Sequence, residues 1–159
     1  MIRKAEVSLR PEDWSDDQSF LIELFHSVAE SELGFLHIEP AQRRKIVLEQ
    51  LLIQRTHWAA AFPQCWKTII LVDHQPAGRF YVNQHASSMR VVELSLLPEY
   101  RQQGIGTQLI KQIQAEATRL SIPLRLKVLI GNEARNFYQR LGFSEISRVE
   151  MHAELEWRA

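Results

Sequence analysis

The spacing of apolar residues changes several times along this chain, and each change marks an expected element. Residues 3–9 predict a first strand ending near Arg10-Pro11, and Asp13 or Ser15 is placed to cap a helix behind it. Within that helix Phe20, Leu21, Leu24, Phe25 and Val28 recur at helical spacing. Residues 30–39 mix polar side chains with Gly34 and read as a loop. Glu39-Pro40 opens a second, longer helix, since proline is well tolerated in a first turn. Ile46, Leu48, Leu51, Leu52 and Trp58 supply its apolar faces, and Phe62-Pro63 ends it.

After that helix the period shortens. Residues 68–72 are short and rich in branched side chains, which predicts a strand. Asp73-His74-Gln75-Pro76 makes a turn, 77–83 is the returning strand with Gly78 inside it, and 84–88 is a second turn. Residues 89–97 form a third strand that Pro98 stops. Connections this short require antiparallel pairing. A helix follows over about 104–120, with Ile110, Ile113, Ala117 and Leu120 on one stripe. Next come a strand over 124–130, a short helix over 133–141 closed by Gly142, and strands over 143–149 and 151–157. This order predicts an α/β (mixed α+β) fold with a central, mixed but mostly antiparallel sheet flanked by helices. The unit 89–97, 104–120, 124–130 suits a right-handed parallel crossover. No linker, repeat or biased tract divides the chain, so one domain over 1–159 is expected.

Composition narrows the function classes. Lys plus Arg and Asp plus Glu each total 19, so no global field draws in nucleic acid or an anionic membrane. The lone Cys65 can build neither an internal disulfide nor a paired-cysteine zinc site. The histidines, at positions 26, 37, 57, 74, 85 and 152, lack metal-ligand spacing, and no metal is expected. The first residues lack the apolar stretch of a signal peptide, and 68–72 is too short to span a bilayer, so a cytoplasmic protein is expected.

The chemistry sits in Leu96-Leu97-Pro98-Glu99-Tyr100-Arg101-Gln102-Gln103-Gly104-Ile105-Gly106-Thr107, where a strand stops, a loop with Arg101 and two glycines follows, and a helix starts. The first helical amides have no internal partners, so such a junction suits a phosphate or pyrophosphate, with Arg101 adding charge. Two familiar phosphate loops do not fit. No lysine follows Gly106, and position 109 is Leu rather than a third glycine.

Arg101, Gly104 and Gly106 fill the coenzyme A signature of the GNAT acetyltransferase superfamily, which this segment resembles. Asn132-Glu133-Ala134-Arg135-Asn136-Phe137-Tyr138-Gln139-Arg140-Leu141-Gly142-Phe143 is similar to that family's second motif, at the expected distance, and Leu155-Glu156-Trp157 resembles the tail of many bacterial members. The resemblance is sharpest over 68–157 and weakest in the two early helices. It implies a GNAT-like fold and an N-acetyltransferase using acetyl-CoA. The backbone of Leu94, Ser95 and Leu96 would pair with the pantetheine arm. Amides of Gln102, Gln103, Gly104, Ile105, Gly106 and Thr107 would bind the pyrophosphate. Asn132 would bond the pantetheine or help hold the splayed strand, and Phe137 would border the cofactor cleft or simply pack. Tyr138 would act as general acid for the departing thiolate, and strands 89–97 and 124–130 would part to admit the cofactor.

An acetyl transfer by direct attack also needs a base for the ammonium acceptor. Glu93, between Val91-Val92 and Leu94, is the candidate, with a structural ion pair or acceptor binding as its plainer role. Tyr138 has core packing as its plainer role, Asn132 has helix capping, and Arg101 has surface solvation. By analogy with the family, His37, His57, Gln54 and Trp58 line the acceptor site. The acceptor itself, a small-molecule amine or a peptide, stays open. Two alternatives stand beside the enzyme: a non-catalytic acyl-CoA-binding or sensor module, and an acyltransferase using protein amines or a longer acyl group. Val149, Met151 and Trp157 face either the core or a partner in a homodimer.

Overall fold

The computed structural model describes residues 3–33 and 39–159. Its elements, in chain order, are β1 (Val7–Pro11), α1 (Trp14–Leu33), α2 (Pro40–Ala61), β2 (Trp66–Val72), β3 (Gln75–Gln84) and β4 (Met89–Leu96). A 3-10 turn (Pro98–Tyr100) follows, then α3 (Ile105–Leu120), β5 (Leu124–Leu129), α4 (Ala134–Arg140), β6 (Ser144–Val149) and β7 (His152–Trp157). The strands form a mixed, mostly antiparallel seven-stranded sheet in the order β1-β2-β3-β4-β5-β7-β6. Two compact units emerge, Met1–Phe80 with Leu94–Arg101 and Tyr81–Glu93 with Gln102–Ala159. No described helix is long and apolar enough to cross a membrane.

In the first unit, β1 pairs antiparallel with β2 from Val7↔Val72 to Pro11↔Thr68. β1 is an edge strand, where proline's missing donor is tolerated. It starts later than the expected 3–9 and reaches Pro11. Asp73 tightens its entry, receiving a hydrogen bond from Glu6 N on Oδ1 (3.0 Å) and donating one from its own amide to Glu6 O (2.8 Å). The β2–β3 turn is shorter than the expected 73–76. Asp73 and His74 sit at φ 48° and 66°, the left-handed pair that matches hairpin twist, so Gln75 and Pro76 already belong to β3.

Asp13 caps α1, its Oδ1 accepting from Ser15 N at 3.0 Å and Ser15 Oγ at 2.7 Å. Asp17 answers from one turn on. Its carboxylate accepts from Asp13 N (2.8 Å) and, with both oxygens, from the two terminal nitrogens of Arg10 (2.8 and 2.7 Å). One buried carboxylate thus ties the edge strand to the helix start. α1 continues to Leu33, past the expected break at residue 30, and the stretch 34–38 of the expected loop lies outside the described residues. Leu21, Leu51 and Ile69 form the core here, with Trp14, Phe20, Ile22, Phe25 and Leu71 against them. Arg55 of α2 bonds Glu12 at 3.0 Å and lies 4.1 Å over the Trp14 ring.

In the second unit, β4 and β5 are parallel, registered at Met89↔Leu124 and Arg90↔Arg125, as a helical crossover requires. Among the described residues no further register pair joins them, although β4 runs on to Leu96 and β5 to Leu129. β5 instead pairs antiparallel with β7 along its whole length, and β7 pairs with β6. Alternate β5 residues Leu124, Leu126 and Val128 are buried, as are Ile105, Leu109, Ile110 and Ala117 of α3 and Ala153 and Leu155 of β7. Arg90 bonds Glu154, and Arg125 bonds Glu156 at 2.8 Å, so the charged positions of the sheet are paired across strands. Val149 and Met151 are exposed, while Trp157 is half-buried beside Gly142.

The carboxylate of Asp17 carries the first prediction. Its hydrogen bonds from Arg10 hold its pKa below the ordinary 3.8. A depressed folded pKa stabilises fully above the unfolded value and ceases to do so as pH falls through the folded one. Asp17→Asn should therefore lower unfolding free energy at neutral pH by about 1.5–3 kcal/mol, towards the lower end because Arg10 is partly solvated. In urea denaturation the gap between variant and parent should close as pH falls below about 4.

Candidate functional site

The site begins at the end of β4, close against β3. Leu97 N donates to Ala77 O at 2.8 Å, and beside that bond the position a Cβ of Gly78 would occupy is filled by Ser95 O.

Pro98 then ends the strand, and the 3-10 turn is closed by bonds from Tyr100 N to Leu97 O (3.0 Å) and Arg101 N to Pro98 O (3.2 Å). Arg101 Nε donates to Leu96 O at 2.9 Å. The arginine expected beside a phosphate thus also ties the loop to its own strand, and the Leu96 carbonyl is already engaged. Gln102 follows at φ 59° and Gly104 at φ 80°. A left-handed glutamine is strained, and such backbone concentrates at functional positions. Gly104 meets no such penalty, and nothing lies within 4 Å of where its Cβ would be. The first α3 acceptor is Gly104 O, bonded by Gln108 N at 3.0 Å, so the amides of Ile105, Gly106 and Thr107 precede the helical ladder. No side chain caps this end of α3, where the helix dipole is positive.

The second unit also holds Tyr138 and Glu93. Tyr138 is buried on α4, edge-on to Phe137 at 4.9 Å and to Phe143 at 5.4 Å between ring centroids. Its carbonyl accepts from Leu141 N (3.0 Å) and Phe143 N (3.1 Å), and left-handed Gly142 (φ 96°) makes that reversal possible. Burial first, and the Glu93 carboxylate second, push the phenol pKa far up, so the hydroxyl keeps its proton. The Glu93 charge thus bears on Tyr138, far from it in sequence. Asn132 Oδ1 accepts from Ala134 N at 2.9 Å, a turn one residue ahead of Glu133, which holds the cap position expected for Asn132, and Phe137 is half-buried.

The candidate acceptor residues separate. Gln54 Oε1 accepts from Arg79 Nη2 at 2.8 Å, and Arg79 Cζ stands 5.3 Å from the Trp58 ring centroid. This buried arginine, which sequence reasoning missed, joins Gln54 and Trp58. His57 is exposed, and His37 lies outside the described residues. The role of Gly78 was missed too, although a glycine inside a strand signals close backbone approach. Burial pushes the Cys65 thiol up to about 11, which leaves it a poor nucleophile. A groove of about 300 Å³ between α1 and α2, lined by Ile22, His26, Arg43 and Val47 among others, contains none of the candidate residues. Among the described residues no cluster of His, Cys, Asp or Glu is arranged to hold a metal ion.

Residues 67–145 match the family model of the acetyltransferase (GNAT) domain. No curated protein matches the chain in sequence. Among solved structures, the PaiA N-acetyltransferase from Thermoplasma acidophilum in complex with coenzyme A is similar with a TM-score of 0.71 at 19% identity, over 97% of this chain and 99% of that one. An acetyltransferase from Thermus thermophilus gives 0.70 at 16% identity, over 96% of this chain and 97% of that one. Apo FdhC, a nucleotide-linked sugar GNAT, gives 0.65 at 16%, over 98% of this chain and 88% of that one. At these identities the solved structures establish the fold, and the matched domain carries both sequence motifs through Phe143. Over residues 67–145 the chain matches the GNAT acetyltransferase domain, and its fold is GNAT-like.

Proposed function

We propose that this protein is an acetyl-CoA-dependent N-acetyltransferase that acetylates a primary amine by direct attack. The observation that carries the reading is the junction from β4 through left-handed Gln102 and Gly104 to the uncapped start of α3. Amides ahead of the helical ladder and a positive helix end fit a pyrophosphate there without requiring a dedicated cation. Gln102, Gln103, Gly104, Ile105, Gly106 and Thr107 form this cradle, and Arg101 steadies it through Leu96 O. Acetyl-CoA supplies the acyl group as an activated thioester.

The remaining residues take roles around that thioester. The backbone of Leu94 and Ser95 pairs with the pantetheine arm, and Leu96 N–H donates to the thioester carbonyl as charge grows on its oxygen. Asn132 and Phe137 border the arm. Glu93 accepts the proton that an ammonium acceptor must lose before it attacks. Tyr138, held protonated, donates to the departing sulfur and regains a proton from the second one that the attacking nitrogen loses as the amide forms. Burial first, and negative Glu93 second, keep the phenol proton on Tyr138 until the sulfur departs. The acceptor is a small-molecule or peptide amine.

Thiol release from acetyl-CoA, screened over amines, amino acids and peptides, tests the reading directly. Acceptor-dependent release is expected; tight binding with no release from any acceptor would instead favour a binding module. In calorimetry, Gly104→Glu should weaken acetyl-CoA binding by about tenfold or more, because it puts a side chain and a negative charge on a left-handed backbone position. Tyr138→Phe should lower kcat by about 100-fold while changing acetyl-CoA affinity little. Glu93→Gln should lose most activity near neutral pH and progressively less as pH rises and the acceptor deprotonates by itself. A deficit independent of pH would leave Glu93 a structural role.

A further inference from the structure

Gly78 is buried inside β3, and its φ lies outside the left-handed region, so conformational freedom does not explain a glycine there. Space does. A Cβ at this position would lie 2.0 Å from Ser95 O, 2.9 Å from Leu96 Cδ2 and 3.0 Å from Leu96 Cα. The leucine methyl could rotate aside. The carbonyl oxygen and the Cα are backbone, and they move only if the end of β4 moves.

A carbonyl that enters the volume of a neighbour's side chain has left the plane of the ladder. The Ser95–Leu96 peptide is trans, so its N–H points opposite to its C=O. Ser95 O faces Gly78; Leu96 N–H therefore faces away from β3. On either side of this peptide the backbone is anchored. Leu97 N bonds Ala77 O, and Leu96 O takes the hydrogen bond from Arg101 Nε. A displaced Ser95 carbonyl therefore cannot be absorbed by drift of the next residue, and the rotation falls on this one peptide. Ser95 Oγ is buried there without a hydrogen-bond partner among the described residues, the kind of cost that persists where function demands an irregular backbone.

We infer that Gly78 is a positioning residue for acetyl transfer: by lacking a side chain it accepts the Ser95 carbonyl and thereby presents the Leu96 N–H to the thioester carbonyl. The inference rests on the function proposed above, and its test separates the two. Two ligands are titrated into the full chain: acetyl-CoA, and 3′-phospho-ADP, which keeps the nucleotide and pyrophosphate but has no pantetheine. Gly78→Ala should melt cooperatively and bind 3′-phospho-ADP within about twofold of the parent, yet lose about tenfold or more in kcat. Loss of both affinities in equal measure, or a kcat within about twofold of the parent, overturns the positioning role. A parent chain that binds neither ligand and transfers no acetyl group overturns the proposed function and this inference with it. If the alanine variant does not fold, the parent decides. Its Leu96 amide resonance should move markedly further on adding acetyl-CoA than on adding CoA, which carries the same pantetheine arm but no thioester carbonyl. A resonance that ignores the carbonyl overturns the inference.

Discussion

The approach of two backbones, β3 at Gly78 and the end of β4 at Ser95, governs the candidate site. The place that a side chain at Gly78 would take is filled by the Ser95 carbonyl, and just beyond it Leu97 N bonds Ala77 O. The strand then stops at Pro98, and Arg101 holds the turn by reaching back to Leu96 O. From there the chain needs two left-handed residues, Gln102 and Gly104, to enter α3 with its first amides ahead of the helical ladder. Each step depends on the one before it. A β4 pushed back from Gly78 would carry Pro98 and the helix start to different positions.

Electrostatics add a second layer to this backbone arrangement. The chain is neutral overall, and the ion pairs among its described residues sit mostly on strand faces and helix ends, where they order local structure: Arg90 with Glu154, Arg125 with Glu156, Arg10 with Asp17. Glu93 and Tyr138 differ in kind. A buried phenol near a carboxylate is held protonated by both burial and charge, a costly arrangement for packing alone, since an aromatic without a hydroxyl would pack equally well. The edge-on rings of Phe137 and Phe143 fix the orientation of Tyr138, and the left-handed turn at Gly142 brings Phe143 back to make that contact. Helix α4 is short, so this aromatic cluster, rather than helix propensity, holds the tyrosine in place.

Much of this architecture was legible from residue spacing. Pro40 at the start of α2, Pro98 after β4 and Gly142 after α4 each act through their own backbone, and each ended or began an element where it was expected. Boundaries went astray where a distant partner decides them. β1 extends to Pro11 because β2 supplies its ladder as far as Thr68, and the β2–β3 turn shortened because Asp73 and His74 adopt a left-handed pair that no glycine announced. Arg79 was invisible as a site-forming residue because its meaning comes from Gln54 and Trp58, more than twenty positions away.

The amino-acid sequence by itself determined the order of elements, the family motifs at Arg101, Gly104 and Gly106 and around Tyr138, and the residues able to carry acid–base chemistry. Those properties depend on local backbone preference and on residue type. Only the tertiary structure decided the rest: that Gly78 makes room for the Ser95 carbonyl, that Arg101 is tied to Leu96, and that Glu93 bears on the Tyr138 phenol. Close approach between backbones and the influence of one buried charge on another depend on distances across the fold, and a pattern read along the chain contains no such distances.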